Sequence, residues 1–433
     1  MVKNFTYRDA LGYLYGLQKY GIKFGLSKTS NLLKAFGNPH RGLRYIHIAG
    51  TNGKGSVAAM VESILMESGL RVAFYSSPHL VRFTERMRIN RKEIGPADVA
   101  ALTSELRDVI QEGSPPTFFE VTTAMSLIHF ARKGCDVAIM EVGMGGRLDA
   151  TNVIRPMVSV ITNISLDHQF FLGKHHLDIA REKAGIIKRG VEVVTAATQA
   201  PVLHLFQSVC EAKKACLWRV GRDVRYRSNG RTCNYYGLDH AFRGLELGLK
   251  GRFQPRNAAL ALAVVEVLRR KGFGISSGNI REGLRHPQWP GRLHVVSMEP
   301  LIVLDGGHNP AAVRILADSV RRDFRYERLI LVLGVMQDKD IRGIVRAIVP
   351  VADYVICSRP EYYRAASPED LWKESRSLGR QGELAPTLAG AIEKAKRLAR
   401  SRDMILICGS LFTVGEALTC LDPETYRPDE MRW

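Results

Sequence analysis

An apolar run that enters a glycine-rich turn, Ile46-His47-Ile48-Ala49-Gly50-Thr51-Asn52-Gly53-Lys54-Gly55-Ser56-Val57, constrains this chain more than any other stretch. Three glycines in six residues let the backbone curl until successive N–H groups face one anion, while Lys54 adds a point charge and Ser56 a metal-facing oxygen. Arg44 to Ala49 alternates as a short strand, and Val57, Met60, Val61, Ile64 and Leu65 recur at helical spacing until Gly69 stops them. Strand, turn and helix together read as a phosphate cradle rather than a glycine turn with a solvated lysine. One departure stands out: the strict nucleotide-loop pattern asks for glycine where Ile48 stands and for a hydroxyl where Gly55 stands.

At 433 residues the chain exceeds what one core usually organises, so two domains are expected, residues 1–297 and 298–433, joined through proline-bearing segments around Trp289-Pro290-Gly291-Arg292 and Glu299-Pro300. No apolar run approaches the ~20 residues that span a bilayer, and Met1 to Gly16 lacks the basic-then-apolar order of a secretion signal. Seven cysteines at 135, 210, 216, 233, 357, 408 and 420 form no C-x-x-C pair, so they read as buried thiols of a reducing compartment, without structural zinc. A formal net charge of +19 raises nucleic acid as a partner. Its basic residues are spread over most helices beside Glu or Asp, without an aromatic-basic ribbon, which favours anionic small molecules.

Along the chain, apolar runs end repeatedly in polar clusters, and in parallel sheets ligands collect at those strand ends. Arg71 to Tyr75 ends in Ser76-Ser77-Pro78, placing Ser77, Arg82, Glu85 and Arg86 near the cradle. Phe118 to Arg132 reads as a helix, and Asp136 to Met140 as a strand delivering Glu141, a carboxylate without an obvious cation partner, into Gly143-Met144-Gly145-Gly146-Arg147-Leu148-Asp149-Ala150. Met157 to Ile164 delivers Asp167-His168, and Arg181 to Lys188 looks like an ordinary charged helix. Asp223 to Lys250 alternates around Ser228-Asn229-Gly230-Arg231, a hairpin signal for a small antiparallel sheet. Asn257 opens the helix Arg256 to Arg270, where it either caps the helix or touches a base. A second alternation follows, with strands at 301–304, 329–333, 354–357 and 404–407; its first strand delivers Asp305-Gly306-Gly307-His308-Asn309-Pro310 and its last Gly409-Ser410.

Taken as a set, G-T-N-G-K-G-S at 50–56, S-P-H-L at 77–80, E-V-G-M-G-G-R-L-D-A-T-N at 141–152, L-D-H at 166–168, E-K-A-G-I at 182–186, P-G-R at 290–292 and D-G-G-H-N-P at 305–310 carry a resemblance. From about Tyr45 to Ala417 the chain resembles the folylpolyglutamate synthases and dihydrofolate synthases of the Mur ligase superfamily, whose cradle is written with the same departure. The resemblance implies an α/β fold: a P-loop-type, mostly parallel ATPase domain with a small antiparallel sheet, then a C-terminal Rossmann-like domain for glutamate ligation. It implies ATP contacts at Thr51, Asn52, Gly53, Lys54, Gly55, Ser56, Asn257, Arg292 and Asp305, and magnesium ligands at Ser56, Ser77, Glu141 and His168. Lys183 matches a lysine that becomes carbamylated and would bridge a second metal ion, and a monovalent cation is a further expected cofactor. Thr117, Leu148, Asp149 and Ala150, with Arg82 and Ser410, are the implied substrate-binding positions, and Lys54, Lys183, His168 and His308 the catalytic ones. Two departures stand out: Phe253 stands where the family often has histidine, so an adenine-side contact is lost or replaced by stacking, and Gln169-Phe170-Phe171 stands where some two-activity members carry aspartate and tryptophan, which bears on pterin preference.

The implied activity is ATP-dependent addition of L-glutamate to dihydropteroate, to reduced folates, or to both, through an acyl phosphate, by a monomeric cytoplasmic protein that needs neither nucleic acid nor membrane. Two alternatives are weighed beside it. A ligase for peptidoglycan-type precursors would need a domain ahead of the loop, where about 45 residues stand, fewer than a domain of usual size. A nucleotide-gated nucleic-acid binder would leave Glu141 and His168 without purpose.

Overall fold

The computed structural model describes residues 5–430 apart from Ile22, Glu112, Ser114 and Arg231, so the last member of the expected hairpin turn lies outside the described residues. Its first sheet is built from β1 (Tyr45–Ala49), β2 (Val72–Tyr75), β3 (Met87–Ile89), β4 (Lys92–Glu93), β5 (Val137–Glu141), β6 (Val158–Ile161), β7 (Glu192–Thr195) and β8 (Leu217–Arg219). They lie in the order β4-β3-β2-β5-β1-β6-β7-β8, parallel throughout except where β3 meets β2 and β4. A small antiparallel sheet follows, β9 (Arg225–Ser228), β10 (Thr232–Tyr236) and β11 (Ala241–Glu246), as the alternation of that stretch predicts. The second large sheet contains β12 (His294–Met298), β13 (Leu301–Asp305), β14 (Leu329–Leu333), β15 (Tyr354–Cys357), β16 (Gln381–Leu384) and β17 (Met404–Cys408), ordered β12-β13-β17-β14-β15-β16 and parallel except for β12.

The parallel strands are apolar in nearly every position because helices cover both faces. In β5, Val137 and Ile139 join the core beneath the loop helix Lys54–Glu67 and the long helix Gln254–Arg270, while Ala138 and Met140 join the opposite core with the helix Phe118–Arg132. The N-terminal helices Tyr7–Gly16 and Ser27–Ala35 pack on that second core and form no unit of their own.

Several local readings need correction. The charged helix ends at Ala184 rather than Lys188, with Gly185 following it close against the Arg147 backbone. Cys216 and Cys420 are exposed, the other five thiols buried. β3, β4 and β16 are short and partly exposed, which weakens the apolar signal that marked the central strands. Among the described residues no helix is long and apolar enough to cross a membrane.

Candidate active site

β1 lies between β5 and β6, with Ile48 opposite Glu141 and Ala49 opposite Ile161, so the turn leaving β1 is flanked by the ends of both neighbours. Gly50 adopts φ of 143°, and a Cβ there would run into the Thr162 side chain, so only glycine lets the turn lie this close to β6. Thr51 donates its backbone N–H to the Asn163 carbonyl at 3.0 Å, and its hydroxyl donates to the Ser165 carbonyl at 3.1 Å. Asn163 Oδ1 accepts the Asn52 N–H at 3.0 Å. The cradle is thereby tied to the strand that delivers Asp167 and His168.

Two lysines converge on one backbone carbonyl. Lys183 Nζ, on the helix His176–Ala184, donates to Gly50 O at 2.9 Å, and Lys54 Nζ donates to the same oxygen at 3.3 Å. Burial, and then the Lys54 charge, lower the Lys183 pKa to about 7. Lys54 also stands 3.8 Å from Glu141, the cation partner that the sequence did not reveal; at that distance the carboxylate keeps its acceptor positions open. Burial raises the Glu141 pKa, with Lys54 and Arg292 opposing.

Ser56 is buried in the first turn of the loop helix and accepts a hydrogen bond from Gln254 Nε2 at 3.4 Å. Gly55 lies against the Trp289 indole, which stacks on Phe74 at 5.5 Å. Asn257 does not cap its helix: Phe253 occupies that position without a side-chain bond, and the Asn257 amide faces Gly53 and donates to Gln254 Oε1 at 2.9 Å. Phe253 itself packs on the core of the second sheet. Ser77 follows β2 two residues beyond Tyr75, which pairs with Met140, so it sits at the same sheet edge as Glu141.

The second sheet contributes from across the gap. Asp305, at the end of β13, is buried and accepts the N–H groups of Leu293 at 3.0 Å and Gly307 at 2.8 Å; burial raises its pKa and Arg292 opposes. His308 Nδ1 faces the Gly306 carbonyl at 2.9 Å and its Nε2 stands 3.5 Å from Asp167. Lys54, Lys183, Asp167, His168 and His308 all line one cavity of about 40 Å³ with Thr51 and the Gly143–Gly145 turn.

Other expected positions are not drawn into that cavity. Arg82 pairs with Glu93 at 2.8 Å and donates to the carbonyls of Thr425 and Arg427, away from the cradle. Glu85 is consumed by the backbone N–H groups of Leu80, Val81 and Arg82, and Arg86 donates to His79 Nδ1 at 2.9 Å. Ser410 caps the helix Leu411–Leu421, and Thr117 caps Phe118–Arg132 through a reciprocal bond with Glu120. Asp149 accepts the Met144 N–H at 2.9 Å and holds the turn carrying Leu148 and Ala150 one layer behind the cavity wall.

Asp167 and Lys339 went unassigned in the sequence, yet they pair across the two sheets at 2.8 Å. Asp167 stood inside a quoted motif. Lys339 follows the end of β14, where the strand-end rule that singled out Asp305 would have found it.

Comparison with known proteins agrees with this geometry. The Mur ligase middle domain matches residues 48–265, and the glutamate ligase domain of Mur ligases matches 291–411. A probable bifunctional folylpolyglutamate synthase/dihydropteroate synthase of Haloferax volcanii is 36% identical over 97% of this chain, which spans 52% of that relative's length. The dihydrofolate synthase/folylpolyglutamate synthase of Bacillus subtilis is 32% identical, over 95% of this chain and 98% of its own. Escherichia coli FolC in complex with DHPP and ADP superposes with a TM-score of 0.90 at 33% identity, covering 97% of this chain and 99% of its own. A bifunctional folylpolyglutamate synthase/dihydrofolate synthase with Mn, AMPPNP and L-glutamate bound gives 0.87 at 31% identity, covering 97% and 100%. Identity at this level over nearly the whole chain, with both Mur ligase domains matched and a TM-score of 0.90, shows that the chain belongs to the folylpolyglutamate synthase/dihydrofolate synthase family, the ATP-dependent glutamate ligases of the Mur group.

Proposed function

We propose that this chain uses ATP to join L-glutamate to dihydropteroate, to the γ-carboxylate of reduced folates, or to both. The observation that carries this reading is the meeting of Lys54, Lys183 and His168 from the side of the first sheet with His308 from the second around one cavity, with Glu141 standing 3.8 Å from Lys54. A carboxylate is a poor electrophile, so the acceptor carboxylate first takes the γ-phosphoryl group of ATP. The glutamate amine then attacks the carbonyl carbon and phosphate leaves.

In this reading residues 1–297 bind the nucleotide and residues 298–433 bring glutamate. Thr51 and Asn52 tie the turn to Asn163, and Gly53 to Ser56 hold the phosphates by backbone N–H groups, with Lys54 offsetting charge that gathers on the phosphoryl oxygens. Asn257, Arg292 and Asp305 reach the remainder of the nucleotide. The open oxygens of Glu141, with the hydroxyls of Ser56 and Ser77 and the His168 imidazole, suit magnesium. Magnesium supplies charge neutralisation at the phosphoryl oxygens when bound. A Lys183 amine with pKa about 7 is partly neutral at neutral pH, so it can form the carbamate that turns a cation into a ligand for a second metal ion. Thr117 and Leu148 to Ala150 line the acceptor side, and a monovalent cation, a monomeric state and a cytoplasmic setting complete the reading.

Acceptor competition tests it. With Mg-ATP and glutamate, dihydropteroate and tetrahydrofolate compete, and products are separated by mass. Glutamate-containing product from either acceptor is the expected outcome; its absence from both overturns the reading.

A further inference from the structure

Asp167 leaves the first sheet at the cavity, and the second sheet surrounds its carboxylate. Lys339 Nζ donates to Oδ1 at 2.8 Å, Asn309 Nδ2 donates to Oδ2 at 3.2 Å, and His308 Nε2 stands 3.5 Å from Oδ2. The Asn309 amide also exchanges hydrogen bonds with Asn52 of the cradle, at 2.9 and 3.3 Å. Lys339 and Asp167 keep only 10% and 8% of their side chains exposed, so this ion pair is dry as long as the two sheets stay together. A dry pair gains little net stability, because both charges give up water, but it tolerates very few geometries. Parting the sheets rehydrates both ions. The pair therefore marks one register of the two sheets at modest net energy, as a contact that can be made and broken would.

On the ligase reading above, we infer that Lys339 is a positioning residue that latches the second sheet over the cavity and so decides whether glutamate or water meets the activated acceptor. Either nucleophile attacks the same carbonyl carbon of the acyl phosphate. With the amine, a C–N bond forms, the C–O bond to phosphate breaks, phosphate leaves with the electron pair, and the amine proton passes to solvent. With water, a C–O bond forms instead, and the acceptor carboxylate, phosphate and protons are released, so ATP is spent without an amide. Lys339 touches neither partner; it acts through Asp167 and through His308 on the same carboxylate.

The test is the ratio of phosphate released to amide formed by the full chain, with dihydropteroate or tetrahydrofolate, Mg-ATP and a range of glutamate concentrations. The unmodified chain should release one phosphate per amide. In Lys339→Met the ratio should rise at least about threefold at low glutamate and fall towards one as glutamate rises, because amine and water compete for one intermediate. Lys339→Arg, which keeps the charge and reach, should restore it. If the Met variant does not fold, Lys339→Gln replaces it, with the same expectation. A folded neutral variant that still releases one phosphate per amide overturns the latch and leaves the ligase reading intact. Absence of amide from the unmodified chain overturns both.

Discussion

At the scale of single residues, the site depends on how two lysines share the Gly50 carbonyl. Lys183 is the more exposed to test because its proposed role is chemical and not electrostatic. Lys183→Ala should abolish ligation, and short carboxylates added to the assay should restore part of it; full activity in the variant would remove the carbamate. Gly55→Ala should cost most of the ATP turnover, since the added methyl meets the Trp289 indole and the loop helix must shift its first turn. A phosphate-release assay with the folded variant checks this. The chemistry of Lys54 and Glu141 was legible because each stands at the end of an apolar run. The pairing of Asp167 with Lys339 was not: 172 residues separate them, and only the facing of two sheets makes them neighbours.

Among the elements, the buried strands and the helix Phe118–Arg132 were readable from periodicity, because burial on both faces or on one stripe leaves a strong apolar imprint. What escaped was the division of labour in the turns. Thr117 was assigned to substrate, and its hydroxyl and backbone close a capping box with Glu120. Thr117→Ala should therefore lower stability by about 1 kcal/mol in denaturant titration. If Thr117 also touches the acceptor, the KM for acceptor rises beyond what that loss explains. β1 carries its own pH sensitivity in His47, fully buried, with Nε2 2.8 Å from Thr151 Oγ1. Burial lowers its pKa from 6.5 to about 3, so the unfolded chain binds the extra proton first and stability falls as pH drops from about 6.5 towards 3. His47→Gln should flatten the pH dependence between 6.5 and 4.5 by about 2 kcal/mol, measured as the difference in denaturant midpoints.

For the molecule as a whole, the parts of the chain beyond the second sheet return to the first. Asp429 accepts from Tyr7 at 2.9 Å and from the Phe83 N–H at 2.8 Å, beside the Arg82 bonds to Thr425 and Arg427. Arg82, an implied substrate-binding position, thus also fastens this returning segment to the first sheet. Asp429→Ala should separate the thermal unfolding of the two units, read by calorimetry as a broadened or split transition. Sequence patterns marked the central strands of both sheets, but not this return, which is polar and aperiodic.

The cavity described above has a consequence for anything meant to block this protein. Its volume of about 40 Å³ is room for roughly three waters. A triphosphate, an acceptor carboxylate and an amino acid together exceed that many times over, so on the ligase reading the substrates need more room than the space among these side chains. A compound shaped to the cavity as it stands would fill only that space and leave the cradle beside it free. If Lys339 latches the sheets as inferred above, an inhibitor anchored between Asp167 and Lys339 would hold the two sheets apart.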